Sequence, residues 1–85
     1  MKEPFDIEKG TDSGVFILKF RNSDAVRFNL IVFGHQGEKI WEKAGFYVSG
    51  AMEVQVDLNP LSEGAYVMVI ESDRNTWVRK LIVEG

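Results

Sequence analysis

"VDLNPLSEGAYVMVIES", Val56 to Ser72, is a strand-like run that breaks, turns over and starts again. Ahead of the break, Met52, Val54 and Val56 alternate with Glu53, Gln55 and Asp57, the period of a strand with one buried face. Pro60 has no N–H to give to a neighbouring strand, so it marks the end of that strand and the start of a crossing. Leu58 and Leu61 flank it as apolar plugs, Gly64 supplies a tight turn, and Tyr66 opens the next hydrophobic run.

A chain that crosses from one β-layer to another needs these parts at its corner. The ring of the Tyr enters the core and its hydroxyl bonds back to the corner's own backbone, as in the tyrosine corner of immunoglobulin-like sandwiches. The rest of the chain agrees. "GVFILKF" (14–20) is a dense β-branched and aromatic run between the turn-prone "KGTDSG" and "RNSD". In "AVRFNLIVF" (25–33), Val26, Phe28, Leu30 and Val32 share one face, while the other begins with Arg27 and Asn29 and turns apolar at Ile31 and Phe33. "GHQG" (34–37) reads as a hairpin turn, because its glycines take positive φ without steric cost. "EKIWEK" (38–43) reads as a charged edge strand and "AGFYVSG" (44–50) as an irregular connection. "AYVMVIES" and "TWVRKLIVE" form a closing hairpin through "SDRN". No window repeats apolar residues at helical spacing, so the expectation is all-β: an immunoglobulin-like antiparallel β-sandwich of six to seven strands, one domain over 1–85.

Bulk properties narrow the function. A net charge of -3 with dispersed basic residues argues against nucleic acid, which attracts a positive field. Without cysteine there is no disulfide and no thiolate metal site. The start "MKEPFDIEKG" has no apolar core of a signal peptide, and runs such as "LIVF" are far shorter than a membrane span of about 18 residues or more.

The second half, taken together, resembles the C-terminal sorting domain of the type IX secretion system of Bacteroidota. The stretches are "LIVFGHQGEKIWE", "VQVDLNPLSEGAYVMVIESD" and "WVRKLIVEG", spanning about residues 26–85. Gly37 and Ile40 match the family's hairpin. Val56, Asp57, Leu58, Leu61, Gly64 and Tyr66 match its corner, and Lys80, Leu81 and Val83 its tail. Gly34 stands where the family usually has Asp, and Asn59-Pro60 where it has Ser and a small residue. The resemblance implies that the Gly64–Tyr66 corner and the terminal strand, Arg79, Lys80, Leu81 and Val83, are recognised by an outer-membrane translocon. It also implies a secreted or surface-attached parent protein whose export signal lies outside this segment.

Other constellations carry less chemistry. His35 is the only histidine and has no ligand-spaced partner, so it reads as a solvated turn residue; no cofactor or metal is expected. No Gly-x-Ser-x-Gly elbow accompanies it, and no catalytic residues are assigned. Trp41, followed by Phe46 and Tyr47, could present a stacking platform for a glycan, or could pack as a small cluster under the 44–51 segment. Trp77 alternates with Leu81 and Val83 but also with Arg79, which should not be buried unpaired, so a bulge near 78–79 is expected. Three readings follow: a sorting module, a binding or spacer module of a surface protein, and a small stand-alone protein.

Overall fold

The computed structural model describes residues 3–12, 14–59 and 62–84. Five antiparallel strands make one curled sheet: β1 (Phe5–Lys9), β2 (Val15–Phe33), β3 (Lys39–Asp57), β4 (Gly64–Glu71) and β5 (Thr76–Val83). No described residue is helical, and no helix is long and apolar enough to cross a membrane.

The two long strands decide the architecture. Each has 19 residues and, if straight, would run about 60 Å, whereas the molecule's longest extent is 38 Å. Both must therefore fold over. The β2–β3 register shifts between Asn22 and Val26, opposite Gly50, whose φ of 77° favours glycine. The bend divides β2 into arms 15–22 and 26–33 and β3 into arms 39–48 and 50–57. With β1, β4 and β5 there are seven arms. One layer holds β1, β2 (15–22) and β3 (50–57); the other holds β3 (39–48), β2 (26–33), β4 and β5. This is an immunoglobulin-like sandwich made by bending continuous strands.

Two local expectations are corrected here. "RNSD", expected as a turn, lies within β2, and "AGFYVSG", expected as an irregular connection, lies within β3. The polar and glycine residues are present because the strands bend, and ladder pairing resumes on either side. The 34–38 hairpin forms as expected, closed by Gly34 N–H donating to the Glu38 carbonyl at 2.8 Å, with Gly37 at φ 79°. β3 pairs with β2 alone, so Lys39 to Lys43 does lie on an edge strand.

The core lies between the layers. Phe5, Phe16, Leu18, Phe20, Val54 and Val56 come from one side, and Phe28, Leu30, Val32, Val48, Tyr66, Met68, Ile70, Leu81 and Val83 from the other. Aromatic contacts bridge them: Phe20 lies 4.9 Å from Phe28 and 5.7 Å from Phe46 between ring centroids. Burial of these rings and branched side chains is the main stabilising term, at about 1.5–3 kcal/mol per fully buried side chain.

Candidate functional site: the corner and the terminal strand

At Leu58, Gly64 and Tyr66 the corner is built as its residues predict. Leu58 is buried, and its N–H donates to the Gly14 carbonyl at 2.8 Å, fixing the point where the chain leaves β3. Asp57 caps the exit, its carboxylate accepting from Asn59 N–H at 2.9 Å. Tyr66 is 3% exposed, and its hydroxyl donates to the Ser62 carbonyl at 2.5 Å, four residues upstream. That bond ties the start of β4 to the crossing before it. Pro60 and Leu61, assigned to the crossing and plug, lie outside the described residues.

Gly64 has two reasons to be glycine. Its φ of 143° is a conformation L side chains rarely adopt, and a Cβ there would come within 2.5 Å of the His35 ring. His35 is exposed, but its ring also lies 5.0 Å from that of Tyr66, so the hairpin tip leans on the corner.

The terminal strand β5 pairs with β4 in unbroken register from Thr76–Glu71 to Val83–Gly64. The bulge expected near 78–79 is therefore absent. Trp77, Arg79, Leu81 and Val83 do share the inner face, with Leu81 and Val83 buried. The conflict over Arg79 is resolved at the sheet's edge. Among the described residues β5 has no neighbour beyond it, so the long side chain reaches out between the layers. Its guanidinium lies 5.6 Å from the Phe5 ring and donates to the Glu3 carboxylate and, at 2.9 Å, to the Val78 carbonyl. Glu3 and Phe5 were missed as partners of the terminal strand. The alternation of Phe5 and Ile7 with Asp6 and Glu8 was the available signal, but it does not say what β1 faces.

The other face of β5 is different. Val78 is 58% and Ile82 40% exposed, with Lys80 between them, and Val67, 40% exposed, sits opposite Lys80 on β4. Three of the four large hydrophobics left exposed among the described residues thus fall on one face of the closing hairpin. The terminal-strand residues singled out by the resemblance therefore divide by face: Lys80 is presented outward, Leu81 and Val83 pack inward, and Arg79 spans the edge.

Trp41, Phe46 and Tyr47 are not brought together. Trp41 sits opposite Val32 and packs against the main core, joined there by Phe46, which sits opposite Phe28. Tyr47 is 66% exposed on the opposite face, paired with Arg27. Successive residues of a strand point to opposite faces, so once 44–50 is a strand Phe46 and Tyr47 cannot form one platform.

A seven-armed immunoglobulin-like sandwich with a tyrosine corner and a free terminal edge defines the class of module. The model of the secretion system C-terminal sorting domain family matches residues 11–84. The chain belongs to this family, that of type IX secretion, which is a sorting and not a catalytic family. No curated protein matches the chain.

Proposed function

We propose that this domain is read by an outer-membrane export machinery through its closing hairpin, and that the parent protein is thereby secreted or displayed at the cell surface. The observation that carries the reading is the family match over residues 11–84, together with a terminal strand that, among the described residues, pairs on one side only. An edge strand offers unsatisfied N–H and C=O groups, and natural proteins usually blunt such edges. Here the outward face of that strand carries Val78, Lys80 and Ile82, a narrow apolar strip with a central cation. The corner's role is to hold this strip in a fixed orientation: Tyr66 sits in the core directly opposite Leu81.

A reporter delivered to the periplasm of a cell with type IX machinery, carrying this chain at its C-terminus, tests the reading. The native chain should send the reporter to the surface or medium. A chain with Val78→Asp and Ile82→Asp should retain it in the periplasm while keeping a near-native melting temperature, because both side chains point to solvent. Export of the doubly substituted chain at the native level would remove the hairpin face from the mechanism.

A further inference from the structure

The two outer faces of this sandwich are unlike. Outside the three-stranded layer, β1, β2 (15–22) and β3 (50–57) present Asp6, Glu8, Lys19, Arg21, Glu53 and Gln55. Lys19 pairs with Glu8 at 3.2 Å and Arg21 with Asp6 at 2.9 Å. That is the polar face expected of an antiparallel sheet with one side in water. The four-stranded layer breaks the rule. Leu30, Val32, Met68, Ile70, Leu81 and Val83 face the core, so the residues alternating with them face outward. Ile31 lies beside Val69 and Val69 beside Val78; on the next outward rung Phe33 lies beside Val67, with Ile82 farther along β5. Val67, Val78 and Ile82 are exposed and the other three half-buried. A contiguous apolar patch on the outside of a folded module marks an interaction surface.

The charges on this face narrow what covers it. Lys39 and Glu42, on the β3 side, pair with each other at 2.9 Å. Arg27 leans over Gly45, where an added Cβ would meet its Nη2 at 2.9 Å. Lys80 is surrounded by Val67, Val78 and Ile82, and Glu71 sits between Asn29 and Thr76. Among the described residues neither Lys80 nor Glu71 is in an ion pair. They stand on neighbouring strands, about 14 Å apart by strand geometry. Midway between them is the Val69–Val78 rung, Val69 two residues from Glu71 and Val78 two from Lys80. A cation and a carboxylate placed evenly about an apolar rung make the face its own complement. A two-fold axis lying across the strands over that rung sets Lys80 of each copy against Glu71 of the other.

We infer that a second copy of this chain docks on the outer face of the four-stranded layer, through its apolar rungs and two reciprocal Lys80–Glu71 ion pairs. The two sheets then pack face to face about 10 Å apart, as the layers do within one sandwich. The extent of the face sets the strength of the contact. Four strands by about seven residues give an outline of roughly 19 by 24 Å, on the order of 450 Å². Standard stable interfaces bury about 800 Å² on each partner, so this dimer is a weak one that forms only in concentrated solution. Val78, Lys80 and Ile82 lie inside the contact, so a docked copy hides the strip that the export reading leaves open to the machinery. The inference does not depend on that reading, and its test contains no export machinery.

Sedimentation equilibrium of the purified chain, from about 10 μM to 1 mM, should show reversible monomer–dimer association in the upper part of that range. Lys80→Glu and Glu71→Lys each set like charges together at both contacts and should weaken association about tenfold or more. Both side chains reach solvent, so thermal melts of the two variants should stay near native. An equimolar mixture of the two should associate at near the native level, because the mixed dimer regains opposite charges at both contacts. Glu53→Lys, on the charged face, should leave association unchanged. A chain that stays monomeric throughout the range overturns the inference. So does association that either reversal at 71 or 80 leaves intact, or a mixture no better associated than its separate parts.

Discussion

Tyr66 acts through its ring and its hydroxyl, and the two can be separated. The ring is core, so Tyr66→Ala should cost about 3–5 kcal/mol, enough to unfold most of a chain this small. Tyr66→Phe keeps the ring and loses only the bond to the Ser62 carbonyl, at a cost of about 0.5–1.5 kcal/mol. Urea denaturation of both variants checks the order; equal losses would show that the hydroxyl, not the burial, anchors the corner. Gly64 is constrained by both backbone and neighbour. Gly64→Ala should lose about 1–3 kcal/mol, and adding His35→Ala should return only part of that, since the clash is relieved but the φ of 143° is not.

At the scale of the element, β5 combines a buried face, an exposed face and an open edge, and substitutions should separate by face. Leu81→Ala should cost about 2–5 kcal/mol, as truncation of a buried Leu does. Val78→Thr and Ile82→Thr should each stay within about 0.5 kcal/mol of the native chain in thermal or urea melts. Glu3→Gln tests the edge. It should cost under about 1 kcal/mol, and the difference should vanish in 1 M salt, where exposed charges are screened within about 3 Å. A salt-independent loss would mean that the Arg79 charge is held away from solvent.

For the molecule as a whole, stability depends on contacts between residues distant in the chain. Val15 pairs with Asp57, Phe5 packs on Trp77, and Glu3 meets Arg79. Such a topology must close long loops before burial compensates, so refolding should occur in milliseconds to seconds and not in the microseconds of helical bundles. Stopped-flow Trp fluorescence measures this directly, since Trp41 and Trp77 both pack against the core, one on each long edge of the four-stranded layer.

Local pattern and covalent constraint were enough to identify the runs of β2, β4 and β5, both ends of β3, the hairpin at 34–37, the turn into Tyr66 and the sandwich, but not β1. Alternation reports which residues share a face, Pro60 cannot donate to a strand ladder, and Gly64 permits a turn conformation that other residues resist. The family was legible for the same reason, its signature being the corner and the tail. Three features depended on tertiary contact. Polar and glycine residues at 21–24 and 44–50 look like connections in sequence, and only the need to fit two long strands into a short sandwich makes them bends. Arg79 looks misplaced until the sheet's edge and Glu3 supply an exit and a partner. Trp41 and Phe46 left a surface platform open beside inward packing, and the register of β3 turned them inward. Alternation fixes faces relative to one another along a strand, but which face meets which neighbour is settled by pairing between segments far apart in the chain.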